Sequence, residues 1–108
     1  MDSLANPIPT IQSAKHNKML GISYHALRKM IQRNIEVQHI EQTLNWSEAE
    51  IVENYERGGR PFPSCLILGK DTDHRYLHVL VTYPTAEVVT TYEPTMPKWI
   101  NPRQRSKE

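Results

Sequence analysis

Side chains that can recognise a phosphate group are concentrated in residues 23–33. On a helix, residues three and four positions apart are neighbours, so this segment would place His25, Arg28, Lys29 and Gln32 on one face. A guanidinium and an ammonium group beside an imidazole that titrates near neutral pH suit an anionic ligand, of which phosphate is the commonest. The alternative is a solvated helix face with an incidental histidine.

A second group of candidate residues lies in the alternating segment 75–82. Successive side chains of a strand point to opposite faces, so His78 would lie on the face opposite to the apolar residues of this segment. Thr91 or Tyr92 from the following segment would lie alongside. If helices cover the apolar face, we expect the polar face to be open to a ligand. The alternative is the half-solvated face that is normal for an antiparallel sheet.

These side-chain types are the ones that cleavage of RNA by general acid–base catalysis requires. The reaction needs a base for the 2′-hydroxyl group, a cation for the phosphate charge and an acid for the leaving oxygen. The candidate catalytic residues are His25, Arg28, His78 and Tyr92. The cations that we expect to bind the substrate are Lys29, Arg33, Arg60 and Arg75.

Metal and thiol chemistry have little support in the sequence. His74 and His78 are four residues apart, but on a strand this spacing separates them by about 13 Å, too far for one metal ion. Cys65 is the only cysteine and lies in an apolar run, which favours a buried, unreactive thiol. We expect no metal and no cofactor.

Charge is unevenly distributed, although the net charge is only +1. Residues 1–35 hold five lysines and arginines against one aspartate, whereas residues 36–56 hold six glutamates and no lysine or arginine. A local basic patch is therefore compatible with a near-neutral chain. No apolar run approaches the roughly 20 residues that span a bilayer, and no secretory signal is visible. These features predict a cytoplasmic protein without membrane association.

The periodicity predicts two helices followed by four strands. The helices are expected at 23–34 and 36–44, and the strands at 50–55, 64–68, 75–82 and 87–92. Short links favour an antiparallel meander, and helices grouped at one end favour an α+β domain. We therefore predict two N-terminal helices packed on a four-stranded antiparallel sheet, in a single domain at 22–99. Residues 1–21 would be a partly disordered leader, and residues 100–108 a basic tail.

The first helix has recognisable boundaries. Ser23 is a favourable N-cap residue, and Asn34 tolerates the left-handed conformation that closes helices. Between them, Leu27, Met30 and Ile31 would form the apolar stripe that packs on the core.

Several segments, in this order and spacing, resemble a small bacterial family, the "domain of unknown function" (DUF) number forty-two fifty-eight. The segments are 24–35, 51–55, 61–69, 77–79 and 89–94, with Trp99 shortly after. The resemblance implies an α+β fold similar to that of RelE, ParE and BrnT toxins. It also implies a toxin of a bacterial toxin–antitoxin pair, inferred to be a ribonuclease that a protein antitoxin neutralises.

The resemblance assigns the His-x-x-Arg motif of the family to His25 and Arg28, with Arg33 as the further arginine. Our leading hypothesis is a metal-independent ribonuclease in which His25 acts as base or acid and Arg28 stabilises phosphate charge. His78 or Tyr92 would assist proton transfer. One alternative is a non-catalytic module whose basic helix contacts a protein or nucleic acid. Another is a structural domain in which the same helix pairs with the acidic second helix.

Overall fold

The structure, a computed structural model, describes residues 20–56, 62–83, 86–95 and 98–106. Its elements in chain order are β1 (Gly21–Ile22), α1 (Tyr24–Arg33), α2 (Val37–Asn45), β2 (Glu50–Tyr55), β3 (Ser64–Lys70), β4 (Tyr76–Thr82), β5 (Glu87–Tyr92), β6 (Trp99–Asn101) and β7 (Gln104–Arg105). Within the described ranges, neither helix has the length and apolar character needed to cross a membrane.

Strands β1 to β5 form one mixed sheet in the order β1-β5-β4-β3-β2, and β6 pairs with β7 in a separate hairpin. Neighbouring strands are antiparallel except β1 and β5, which are parallel. The prediction of a four-stranded antiparallel sheet is therefore wrong. Strand β1 has two residues, Gly21 and Ile22, so it is too short for alternation to reveal it.

The predicted boundaries of α1 are confirmed. The Ser23 hydroxyl accepts a hydrogen bond from the Ala26 backbone N–H, 3.0 Å away, and Asn34 ends the helix with φ of 57°. The helix lies along β5, because the Ser23 backbone N–H donates to the Val88 carbonyl. This contact fixes which side of α1 faces the sheet.

The apolar stripe of α1 is different from the predicted one. Ala26 and Met30 are buried, as we expected for Met30, but Leu27 and Ile31 are exposed. The helix contains two apolar pairs at a spacing of four residues, Ala26 with Met30 and Leu27 with Ile31. The second pair lies about 100° around the helix from the first. The structure buries the pair with the smaller residue, because Ala26 permits close approach of the helix to β5.

The main core lies between the helices and the sheet. Leu77, Val79 and Val81 of β4 face the helices, as the alternation predicted, and pack with Ile40 and Leu44 of α2. Cys65 is also buried in this core, as expected, and burial raises the pKa of its thiol to about 12. The thiol is therefore protonated at neutral pH.

The opposite face of the sheet is covered by the β6–β7 hairpin. His78 points to this face and is fully buried against Trp99 of the hairpin, so the expectation that His78 is open to a ligand is wrong. Two ion pairs join the hairpin to β2, Arg103 to Glu50 at 3.0 Å and Arg105 to Glu53 at 2.7 Å. The hairpin includes residues 100–105, which we had assigned to a basic tail. Of the expected leader, residues 1–19 lie outside the described residues.

Candidate functional site

A pocket of about 460 Å³ opens where the C-terminal ends of α1 and β5 meet the β6–β7 hairpin. Its lining combines cations and aromatic rings with one carboxylate. The lining residues include Arg33, Tyr92, Glu93, Lys98, Trp99 and Arg105. We call this the β5 pocket.

A β-bulge in β5 places Tyr92 at this pocket. Val88 pairs with Val81 and faces the core, whereas Tyr92 pairs with His78 four residues later, and the register shifts between these pairs. Without the shift, Val88 and Tyr92 would point to the same face, because they are an even number of residues apart. The extra residue lets β5 bury Val88 on the helix side and present Tyr92 on the hairpin side.

Tyr92, His78 and Pro102 form a chain of hydrogen bonds. Nε2 of His78 lies 2.7 Å from the carbonyl oxygen of Pro102, and Nδ1 lies 3.3 Å from the Tyr92 hydroxyl oxygen. A carbonyl oxygen can only accept, so Nε2 carries the proton and Nδ1 of the neutral ring accepts from Tyr92. The chain therefore places an unprotonated imidazole nitrogen directly behind the Tyr92 hydroxyl group.

Burial keeps both groups of this pair neutral. It lowers the pKa of His78, against an opposing effect of the Pro102 carbonyl. It also raises the pKa of Tyr92, against opposing effects of the Trp99 N–H, Arg105 and Arg33. At neutral pH the pair is ready to pass a proton and carries no charge of its own.

Trp99 closes the floor of the pocket. Its ring meets His78 edge-on, with centroids 4.4 Å apart. Its Nε1–H opposes the effect of burial and lowers the pKa of Tyr92. Nevertheless, it makes no hydrogen bond of normal geometry within the described ranges, although it is buried. A buried donor without an acceptor is rare and costs free energy, so it is a feature to expect at a functional site.

Three cations surround Tyr92. Arg33 donates to the Thr91 carbonyl oxygen at 2.8 Å and lies 5.8 Å from the centre of the Tyr92 ring. Arg105 lies over the Trp99 ring and is paired with Glu53. Lys98 has no ion pair with any residue that the structure describes. The pocket therefore has positive charge available for an anionic ligand.

The structure does not bring the two predicted catalytic histidines together. His25 is exposed on α1, and His78 is buried on the sheet face that points away from the helices. The sheet therefore lies between them. Arg28 is also exposed, with its guanidinium 6.0 Å from the centre of the Tyr24 ring, and it does not line the β5 pocket.

The predicted binding cations also occupy different places. Arg33 lines the pocket, and Lys29 lies one helical turn before it. Arg75 is held in ion pairs with Asp71 at 3.0 Å and Glu93 at 3.5 Å, so it supports the pocket from behind Glu93. Arg60 lies outside the described residues.

Of the residues that line the pocket, Glu93 and Thr95 were not among the predicted site residues, and neither were Lys98, Trp99 and Arg105. The available signal was weak. Trp99 is one of only two tryptophans in the chain. It lies between Lys98 and Arg103, in a segment with little periodicity. Only the hairpin, which folds back over β4, shows that these side chains face His78 and Tyr92.

One cluster in the described part of the chain has the residue types of a metal site. The nearest ligand atoms of His39, Asp71 and Asp73 all lie within 4.8 Å of one another. However, Nδ1 of His39 accepts the Glu36 backbone N–H, which assigns the ring proton to Nε2, facing Asp73. A metal at Nε2 would leave the ring without a proton.

Asp71 has a structural role that competes with metal binding. Its Oδ1 accepts from the backbone N–H groups of Asp73 and Arg75, and its Oδ2 accepts from the Arg75 side chain. These bonds to the charged form lower the pKa of Asp71, although burial opposes them as the largest single effect. We therefore assign the cluster a structural role, which is to hold the turn between β3 and β4.

The lowered pKa of His78 predicts a pH dependence of stability. Below about pH 6.5 the unfolded chain takes up a proton at this imidazole that the folded protein does not. The free energy of unfolding should therefore fall as the pH is lowered from about 6.5 towards the lower folded pKa. Urea denaturation between about pH 5 and 8 measures this slope.

A His78→Gln variant provides the comparison. It should be less stable at neutral pH and should show a flatter slope over the same pH range, because Gln does not titrate. The lowered pKa of Asp71 acts at more acidic pH and leaves this range unaffected. Equal slopes for the two proteins would contradict the assignment of the slope to His78.

Comparison with known families gives a match to a family model. A family model described as "Domain of unknown function (DUF4258)" matches residues 22–93, about two thirds of the chain. The match covers α1, α2 and all of the five-stranded sheet except Gly21, and it ends before the β6–β7 hairpin. Neither the comparison with curated proteins nor that with solved structures gives a match.

Proposed function

Given that the chain belongs to the DUF4258 family, a domain of unknown function, we propose that it is a metal-independent ribonuclease acting in the β5 pocket. The observation that carries the proposal is the Tyr92–His78 hydrogen bond beside the cations Arg33, Lys98 and Arg105. A proton-transfer pair and positive charge at one pocket are what cleavage at a 2′-hydroxyl group requires.

The cations favour a phosphodiester as the ligand. Arg33 and Lys98 would bind the phosphate oxygens, with Lys98 free of competing carboxylates among the described residues. Arg105 is committed to Glu53 and contributes through its field. A pocket of 460 Å³ accommodates one nucleotide but not a duplex, so the substrate is single-stranded.

The reaction begins at the Tyr92 oxygen. That oxygen takes the proton of the substrate 2′-hydroxyl group while the Tyr92 proton passes to Nδ1 of His78. The 2′-oxygen then forms a bond to phosphorus, and the bond from phosphorus to the 5′-oxygen breaks. Lys98 donates a proton to the leaving oxygen. The Pro102 carbonyl stabilises the imidazolium, much as a carboxylate orients the histidine of a hydrolase.

Two basic residues of α1, the half-buried Lys29 and the exposed His25, extend this site. Lys29 lies one turn from Arg33, and His25 lies one turn further towards the start of the helix. We assign these two residues to contacts with the nucleic acid outside the pocket. Phosphate contacts of this kind position a strand without reading its sequence.

The biological role that we propose is that of a toxin in a bacterial toxin–antitoxin pair, neutralised by a protein antitoxin. The support for this role is a pocket whose residues could degrade RNA without a cofactor. Enzymes of this kind need control, since unregulated RNA cleavage would harm the cell that produces them.

Removing pocket cations should weaken RNA binding. We expect Arg33→Gln and Lys98→Gln each to reduce the affinity for a fluorescein-labelled single-stranded RNA by about tenfold at low salt. Each change should also lower the dependence of log K on log salt by about one unit. Fluorescence anisotropy over a salt series, in the presence of EDTA, measures both quantities.

Arg103→Gln is the matched control. Arg103 is an exposed hairpin arginine that pairs with Glu50 and does not line the pocket, so its loss should change affinity less than twofold. A control RNA with one 2′-deoxy residue should bind but resist cleavage at that position. Equal RNA affinity of all three variants would show that the binding surface lies outside the β5 pocket. Binding without any cleavage by the wild type would leave a nucleic-acid-binding module.

A further inference from the structure

A stripe of exposed apolar side chains runs along α1 on the side away from the core. Tyr24 is 75% exposed, Leu27 44% and Ile31 75%. Their spacing of three and four residues places them in one line on the helix surface. Of the six large hydrophobic residues exposed in the described ranges, three lie on this single helix. We call these three side chains the α1 stripe.

The stripe is separate from the β5 pocket. The buried residues Ala26 and Met30 mark the side of α1 that faces the sheet, and Arg33 leaves the helix on one flank of that side to reach β5. Leu27 lies on the opposite flank, because its side chain leaves the helix in a direction about 120° around the axis from that of Arg33. None of the three stripe residues lines the pocket. A ligand on the stripe therefore needs no pocket residue.

Charge beside the stripe selects the kind of partner. Helix α1 contains no aspartate or glutamate, and Arg28 stands between Tyr24 and Ile31 with its guanidinium over the Tyr24 ring. Arg28 has no ion pair within the parts of the chain that the structure describes. An apolar line flanked by unpaired positive charge complements an apolar line flanked by negative charge.

We propose that the α1 stripe docks an acidic amphipathic helix of a partner protein. Two helices pack by fitting the ridge of one into the groove of the other, and the stripe supplies such a ridge over about 10 Å, or two turns. A partner with apolar residues at positions i, i+3 and i+7 and glutamates beside them would cover the stripe and pair with Arg28.

Two other occupants agree less well with these features. A symmetric coiled coil between two copies requires about three to four heptads, whereas the stripe covers one. It would also bring Arg28 of one copy near Arg28 of the other. An anionic membrane would be penetrated by three side chains only, because the remaining apolar residues of α1 are buried in the core. A helix of a partner protein needs only two turns of contact, and its glutamates would pair with Arg28.

Synthetic peptides test the proposal with the full chain. The probe is a 20-residue helical peptide with leucines at the stated spacing and flanking glutamates, compared with a lysine version and with a scrambled version. We expect the glutamate peptide to bind at least tenfold more tightly than either. In ¹H–¹⁵N spectra its shifts should centre on residues 24–31. Ile31→Ala and Arg28→Glu should each weaken binding about tenfold.

Phe62→Ala is the matched control, because Phe62 is 55% exposed and lies outside α1, so its removal should leave binding unchanged. Circular dichroism checks that each variant is folded.

Three results would overturn the proposal: equal binding of the lysine peptide, spectral shifts away from α1, and displacement of the glutamate peptide by vesicles of phosphatidylglycerol. A dimer of the free protein that Ile31→Ala dissociates would assign the stripe to a second copy. RNA cleavage is measured separately, so failure here leaves the ribonuclease proposal standing.

Discussion

Replacing Tyr92 with phenylalanine is expected to reduce RNA cleavage by about a hundredfold or more, while RNA binding changes little. The change removes one oxygen atom and keeps the ring that contacts His78 edge-on at 5.3 Å. It therefore removes the group that we assign to proton transfer without altering the cations of the pocket. Single-turnover cleavage of a labelled RNA in EDTA measures the rate, and anisotropy measures the affinity.

Tyr83→Phe is the control for this substitution. The Tyr83 hydroxyl donates to the Asn54 side chain at 2.8 Å and lies outside the pocket, so its loss should leave cleavage unchanged. If Tyr92→Phe cleaves RNA at the wild-type rate, the proposed chemistry is wrong. In bacteria, expression of the wild type but not of Tyr92→Phe should stop growth and degrade RNA.

His25→Ala separates the two sites that this chain offers. A loss of cleavage in His25→Ala with full activity in Tyr92→Phe would place the chemistry on the exposed face of α1. The opposite result would assign the chemistry to the β5 pocket. A double variant, Tyr92→Phe with His78→Gln, should be no less active than the worse single variant, because residues that act as one unit lose their function together.

The sequence predicts the local elements of this fold well. The caps at Ser23 and Asn34 and the alternation of residues 75–82 each depend on a few neighbouring residues, and the structure places both helices and four of the strands close to the predicted positions. Short-range chemistry determines these features. Capping fixes the helix ends, and the two-residue period fixes which side of a strand is apolar.

The candidate site depends instead on long-range geometry. The bulge between Val88 and Tyr92 changes the face of β5 in the middle of a strand, so a strict alternation cannot place both residues correctly. The hairpin at residues 99–105 is held by ion pairs to β2, about 50 residues earlier in the chain. Neither feature leaves a periodic signal in the sequence.

The first helix shows how the two levels combine. Its residues suggested an anion site, and one of them, Arg33, does reach the pocket. The emphasis on His25 and Arg28 came from their type and from the family resemblance, neither of which reports where the end of β5 lies. Arg33 is near the pocket because it is the last residue of α1. Among the described residues no strand pairs with this edge of β5 beyond Val88, and the Thr91 carbonyl oxygen accepts a hydrogen bond from Arg33 there.

The contact between α2 and β3 predicts the largest effect on stability. A Cβ atom added at Gly69 would lie 2.2 Å from the Thr43 carbonyl oxygen and 2.6 Å from the Thr43 Cγ2 atom. The nearest atom belongs to the helix backbone, so α2 would have to move as a unit. We expect Gly69→Ala to lower the free energy of unfolding by about 3 kcal/mol, at the upper end of overpacking costs. The melting temperature would fall by roughly 10–20 °C.

Gly21→Ala is the matched control. A Cβ atom at Gly21 would meet its nearest neighbour at 3.7 Å, an ordinary contact, so this change should shift the melting temperature by only a few degrees. Thermal denaturation followed by circular dichroism compares the two variants. A Gly69→Ala protein as stable as the wild type would mean that α2 does not lie against β3 at Thr43.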